Sequence, residues 1–116
     1  MSALTTHVLD TSTGRPGAGM AIELYRNGPE STLLLSTATN RDGRCDQPLL
    51  QGEAWRNGEY ELRFRVGDYF RRQGLEVSDP PFLDQVVIRF GVADASQHYH
   101  VPLLVSPYGY TTYRGS

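Results

Sequence analysis

The chain holds one cysteine, Cys45, in 116 residues. An intrachain disulfide is therefore excluded, and cysteine usage gives no sign of an oxidising compartment. Long apolar runs are missing as well. No window approaches the roughly 20 apolar residues of a membrane-spanning helix, and the first residues have neither the basic start nor the hydrophobic core of a secretory signal. The ending Arg114-Gly115-Ser116 does not match the Ser-Lys-Leu peroxisomal address. These absences lead to the expectation of a soluble, cytoplasmic protein with no membrane partner. Excess positive charge is also lacking: the formal net charge is −2 and the pI about 5.8. Arg71-Arg72 is too short to form the basic stripe that a nucleic-acid backbone demands. No repeat, low-complexity tract or linker interrupts the sequence.

Turn chemistry, by contrast, is plentiful. Twelve glycines and seven prolines are interleaved with β-branched and aromatic residues, the pattern of short strands joined by turns. The length suits a single domain, residues 1–116, with one core. Strands are expected at Leu4–Asp10, Ala21–Arg26, Thr32–Thr39, Arg44–Leu49, Glu59–Val66, Gln85–Phe90, Gln97–Val105 and Tyr108–Arg114. The turn formers between them are Thr11 to Gly17, Asn27-Gly28-Pro29, Asn40-Arg41-Asp42-Gly43, Asn57-Gly58 and Asp79-Pro80-Pro81. Tyr60, Leu62, Phe64 and Val66 alternate with Glu59, Glu61, Arg63 and Arg65, as in a half-buried strand. Asp68 to Gln73 reads as one short helix, capped by Asp68 at its start and Gly74 at its end. About eight strands with short connections predict an all-β, two-sheet sandwich.

Polar residues break this pattern in four places. Along Gln97–Val105, Tyr99, Val101, Leu103 and Val105 share one face by the two-residue period of a strand. His98, His100, Pro102 and Leu104 share the other, so two imidazoles stand among apolar neighbours on an outward face, which suggests a covered surface. On the first strand Thr5, His7 and Leu9 face outward if Val8 faces inward. Each histidine reads either as an ordinary strand residue or as a functional one. Arg44, after the Asp42-Gly43 turn, reads as a solvated arginine until other observations bear on it, and Cys45 as a small buried hydrophobe. Finally, Tyr108, Tyr110, Thr111, Thr112 and Tyr113 keep strand character almost to the chain end, where fraying is the rule. An edge strand of that kind calls for a neighbour, which implies an intersubunit sheet.

Four motifs in order, Leu4-Thr5-Thr6-His7-Val8-Leu9-Asp10 with Thr13-Gly14-Arg15-Pro16, Asp42-Gly43-Arg44-Cys45, His98-Tyr99-His100-Val101-Pro102-Leu103-Leu104 and Tyr113-Arg114-Gly115-Ser116, resemble those of the 5-hydroxyisourate hydrolases of the transthyretin-like family. The resemblance spans essentially the whole chain. It implies a transthyretin-like β-sandwich, assembled as a homotetramer with active sites in a channel where dimers meet. The implied reaction opens the six-membered ring of 5-hydroxyisourate to give 2-oxo-4-hydroxy-4-carboxy-5-ureidoimidazoline in urate catabolism, without a cofactor or metal. Residue by residue, the resemblance assigns catalysis to His7, Arg44 and His100. Substrate binding falls to His7, Arg44, Tyr113, Arg114, Gly115 and Ser116, with His98 as a neighbouring participant.

The expected chemistry is a water activated by neutral imidazole and an oxyanion steadied by the arginine fork. Which histidine is base and which acid is open at this point. Two rival readings follow from the same residues. One is a transthyretin-like ligand carrier without catalysis, since fold alone does not decide function. The other is a zinc hydrolase with His7, His98 and His100 as ligands, which a missing second shell of carboxylates argues against.

Overall fold

The computed structural model describes residues 2–115. The strands, in chain order, are β1 (Ala3–Thr5), β2 (Val8–Asp10), β3 (Arg15–Pro16), β4 (Ala21–Asn27), β5 (Thr32–Ala38), β6 (Leu50–Gln51), β7 (Gly58–Arg65), β8 (Gln85–Val92), β9 (Tyr99–His100), β10 (Leu103–Ser106) and β11 (Gly109–Thr112). The helix α1 (Val66–Arg72) follows β7 directly. One layer is an antiparallel sheet in the order β5-β4-β7-β8. The other layer contains the orders β6-β1-β9 and β11-β10-β2-β3. Parallel pairs β1–β9 and β2–β10 lie at its centre.

These two groups are a single sheet with a fault across it. The chain passes from β1 into β2, and from β9 into β10, with the ladder continued by Val101 N–H to the Thr5 carbonyl (2.9 Å) and Leu103 N–H to the His7 carbonyl (2.8 Å). Pro102 sits at the fault. It has no N–H to offer on the tail side, where the His100 N–H bonds to Gly115, and threonine hydroxyls serve the carbonyls on either side of the break. Thr6 Oγ1, buried, donates to the Val101 carbonyl (2.6 Å), and Thr112 Oγ1 donates to the Pro102 carbonyl (2.8 Å).

Apolar faces of both layers meet in one core cluster. Tyr60, Leu62 and Phe64 of β7 and Leu103 and Val105 of β10 are fully buried in it, as their alternation demands. Val66, Tyr69 and Phe70 of α1 join the same cluster. On the far side of β7, Glu61 is covered by Arg63 (2.6 Å) and Arg89 (3.1 Å), so this outward carboxylate is buried by its partners.

Several expected elements differ in detail. Leu4–Asp10 and Gln97–Val105 are each split by the fault, and the last strand pairs only over Gly109–Thr112. Arg44–Leu49 does not form a strand. It meets the first strand at both ends, as the His7–Arg44 bridge and the Leu4–Leu50 pair, and bulges away between them. Pro48 lies in that bulge, and Asp46 is drawn instead to the Asn40 side-chain amide (2.9 Å). Arg15–Pro16 pairs with β2 where only a turn was expected. Helix α1 starts at Val66, so Asp68 does not cap it. Asp68 lies within the first turn, where its charge suits the helix dipole and it pairs with Arg71. Gly74, at φ +80°, follows the helix as expected, in the left-handed region glycine tolerates.

The buried carboxylate of Asp10 ties α1 to the faulted sheet. It accepts hydrogen bonds from the Tyr69 hydroxyl (2.8 Å) and from the backbone N–H of Ser12 (3.0 Å). Burial, together with the Asp10 carboxylate, pushes the Tyr69 phenol up to about 12. Tyr69→Phe leaves one side of Asp10 without a partner and is expected to cost about 1–3 kcal/mol. A lower urea midpoint with unchanged activity per folded molecule is the result to look for.

Candidate active site

The outward face of the faulted sheet carries the chemistry. Thr5 and His7 alternate with buried Thr6 and Val8 along the first strand, and His98 and His100 flank buried Tyr99. Parallel pairing sets Thr5 opposite His100. The same register, resumed at Val8 opposite Leu103, sets the next outward residue, His7, diagonally against that imidazole. His7 Nδ1 and His100 Nε2 are 2.6 Å apart, and the two rings stack with centroids 4.8 Å apart. Thr5 Oγ1 lies 2.8 Å from His100 Nδ1 and 3.2 Å from His98 Nε2. Among the described residues, both ring nitrogens of His100 have hydrogen-bond partners, whereas for His7 only Nδ1 does.

Arg44 reaches this cluster through the backbone. The turn at Gly43, with φ +72°, places the Gly43 carbonyl 2.8 Å from the Val8 N–H and pairs Arg44 with His7 as an isolated antiparallel bridge. A Cβ on Gly43 would collide with the Val8 carbonyl oxygen, so the approach needs glycine. The bulge that follows opens a cleft of about 200 Å³ lined by Thr5, Thr6, Arg44, Cys45, Asp46 and Pro48.

Both imidazoles of the pair are held neutral. Partial burial, then the charge of Arg44, lowers the pKa of His7. Burial, His7, Arg44 and His98, in that order, lower His100 to about 4. Such a site offers an uncharged base beside a fixed positive charge, which suits deprotonation of water and stabilisation of an anion. Burial raises the Cys45 thiol, assisted by the charge of Asp46, which leaves it protonated and weakly nucleophilic. Among the described residues no group of three or more His, Cys, Asp or Glu is placed to hold a metal ion. The nitrogens that a zinc reading would need face each other across the 2.6 Å contact instead of a common point.

The tail divides. Gly115 pairs with His100 through its N–H (2.6 Å) and its carbonyl (3.3 Å). A Cβ at Gly115 would stand 3.1 Å from His100 Cδ2, so the backbone of the tail forms a wall against the ring. Tyr113 and Arg114 instead line a different cleft, of about 260 Å³, together with Ile88, Phe90 and Tyr99. The Arg114 guanidinium stacks 3.8 Å over the Tyr99 ring and donates to Gln97 Oε1 (2.9 Å) and to the His98 carbonyl (3.2 Å). Its contacts are thus with the core-facing neighbour of the histidines. Ser116 lies outside the described residues.

Residues 4–115 match the HIUase/Transthyretin family. The chain belongs to that family. It is 61% identical over 117 residues to the 5-hydroxyisourate hydrolase of Pseudomonas aeruginosa, covering all of this chain and 93% of that protein. Among solved structures, (S)-allantoin synthase superposes with a TM-score of 0.95 at 45% identity over 99% of this chain, which spans 44% of that longer one. The 5-hydroxyisourate hydrolase of Klebsiella pneumoniae superposes with a TM-score of 0.82 at 35% identity, over the full length of both chains. Membership in the HIUase/Transthyretin family accounts for the sandwich.

The structure brings His7, His98 and His100 together around Thr5, with Arg44 bridged to His7. Thr5 was not foreseen as a member of the cluster. Its signal lay in its position two residues before His7 on the same strand face.

The neutral pair has a consequence for stability. An unfolded histidine titrates near 6.5, above the value of about 4 for folded His100. As pH falls through that interval the unfolded chain binds protons first, so stability present above pH 6.5 is lost progressively towards pH 4. The denaturation midpoint is expected to decline across this window, and less steeply in His100→Gln.

Proposed function

We propose that this protein hydrolyses 5-hydroxyisourate, opening its six-membered ring in the purine-degrading sequence that starts from urate oxidation. The observation that carries the reading is the 2.6 Å contact between His7 Nδ1 and His100 Nε2, beside Arg44. A carrier has no use for two neutral imidazoles in hydrogen-bond contact, whereas ring hydrolysis needs a base and, later, an acid.

In the proposed mechanism His7 Nε2 takes a proton from water while the water oxygen bonds to the ring carbonyl. Arg44 binds the oxygen-rich substrate through its guanidinium fork and steadies the oxyanion, a task for which a lysine point charge is less suited. Collapse of the tetrahedral intermediate breaks the carbon–nitrogen bond, and His7 returns the proton to the leaving nitrogen. His100 orients His7 and shares its charge. The Gly115 backbone closes one side of the pocket, and Tyr113 and Arg114 hold the tail in place.

Self-association supports the same site. β8 and β11 are edge strands of their two layers, all four residues of β11 are exposed, and the cleft beside them has an apolar lining that includes Ile88, Phe90 and Tyr99. An open edge of this kind invites another copy. The assembly proposed is a homotetramer with the histidine face at the junction of dimers. Among the described residues no helix is long and apolar enough to cross a membrane; the place of action proposed is the cytoplasm.

The direct test follows the ultraviolet absorbance of freshly generated 5-hydroxyisourate. Wild-type protein is expected to accelerate its loss, and His7→Ala, Arg44→Ala and His100→Ala to lower kcat by about 10²-fold or more. Decay no faster than the spontaneous rate with wild type overturns the reading. In the same assay, deletion of residues 113–116 is expected to cost activity more than folding.

A further inference from the structure

The scheme above leaves the Thr5 hydroxyl unused, although it touches two imidazoles. Strand pairing puts Thr5 opposite His100, and alternation puts His98 on the same face. With Oγ1 2.8 Å from His100 Nδ1 and 3.2 Å from His98 Nε2, and His100 Nε2 2.6 Å from His7 Nδ1, four side chains form one hydrogen-bonded line. It runs from His98 through Thr5 and His100 to His7.

A neutral imidazole carries one N–H and a threonine one O–H, so each link of this line holds one proton and the line has a direction. In one direction His7 Nδ1 donates to His100 Nε2, His100 Nδ1 donates to Thr5, and Thr5 donates to His98 Nε2. His7 Nε2 then presents a lone pair and is a base. In the other direction every link is reversed, and His7 Nε2 carries a hydrogen and is an acid. A hydroxyl is the group that suits the central position, because it both accepts and donates.

We propose that Thr5 is a proton relay that couples His98 to the His7–His100 pair and lets His7 alternate between base and acid in each turnover. The inference rests on the hydrolase reading and adds a positioning residue and a role for His98. In the first half-reaction the water proton bonds to His7 Nε2. The Nδ1 proton of His7 passes to His100 Nε2, that of His100 Nδ1 to Thr5 Oγ1, and that of Thr5 to His98 Nε2. One proton has left water, and one positive charge rests on His98 as the carbon–oxygen bond forms. The same shifts in reverse deliver a proton from His7 Nε2 to the leaving nitrogen as the carbon–nitrogen bond breaks. The enzyme ends as it began.

The surroundings favour this displacement of charge. Arg44 opposes a proton on both His7 and His100, and moving it to His98 takes it to the far side of Thr5. The other groups around Thr5 are Cys45 and Asp46, which line its cleft with Arg44, and the Gly115 backbone against His100. Arg114 meets His98 through the backbone carbonyl, away from the imidazole nitrogens.

The test measures kcat, KM and the pH profile of kcat/KM for 5-hydroxyisourate decay in wild type, Thr5→Val, Thr5→Ser, His98→Ala and the Thr5→Val, His98→Ala double variant. Thr5→Val keeps the shape and removes the hydroxyl. It is expected to lower kcat about 10-fold or more with little change in KM and to move the acid limb to lower pH, because a pair cut off from His98 takes up its proton less readily. Thr5→Ser is expected to restore both, and His98→Ala to add no further loss in the Thr5→Val background. Wild-type kinetics in Thr5→Val, a serine variant no better than valine, or additive losses would each overturn the relay. If Thr5→Val does not fold, full kcat with an unchanged profile in His98→Ala overturns it. Failure of the hydrolase reading looks different, since wild type itself then leaves the spontaneous rate unchanged.

Discussion

The parallel pairing of the first strand with the histidine strand is the constraint on which the site depends. Its register is the same on both sides of the break, with Thr5 opposite His100 and Val8 opposite Leu103, so the next outward residue after Thr5 stands diagonally against His100. At the break the Thr6 hydroxyl serves the Val101 carbonyl and the Thr112 hydroxyl that of Pro102, and neither carbonyl is left unpaired. His7 and His100 meet on the outward face of this break. The His7–His100 approach is therefore a product of backbone geometry, held from the inner side by buried Thr6 and Val8.

Electrostatics and shape then act in the same sense. Placing Arg44 beside two partly buried imidazoles disfavours the imidazolium form, so the crowding of three nitrogen-rich side chains is tolerated because the two imidazoles stay neutral. The fixed charge that depresses their basicity is also the group that attracts an oxygen-rich substrate. When such a substrate neutralises the guanidinium, the restraint on the imidazoles relaxes, and their affinity for a proton rises as the water proton must be taken up.

Much of this was legible in the residues. The alternation in β7 and β10, the outward histidine face and the two-layer architecture follow from periodicity, because burial on one side of a pleated strand leaves a two-residue imprint. The breaks were less so. Pro102 was read as one more outward residue of an unbroken strand, since a rung lost at a single position leaves the alternation intact on either side. The segment after Arg44, expected as a strand returning from the Asp42-Gly43 turn, bulges, because pairing at both of its ends satisfies the sheet while Pro48 and the Asn40–Asp46 contact draw its middle away. Motif matching brought the tail to the site as a block, whereas the structure separates Gly115, against His100, from Arg114, stacked on Tyr99. Thr5 escaped notice because threonine on a strand is unremarkable until the register shows what lies opposite it.

The separation in sequence between His7 and His100, 93 residues, bears on how the molecule comes into being. Parallel contacts between strands so far apart demand closure of nearly the whole chain, a step that is entropically late. The β4–β5 and β7 hairpin region can organise during synthesis from neighbouring segments, but β1 must wait for β9 to emerge. Catalytic competence is then the last property the nascent chain acquires. A polypeptide interrupted before its final strands holds most of its core residues but only one of the two paired imidazoles, His7.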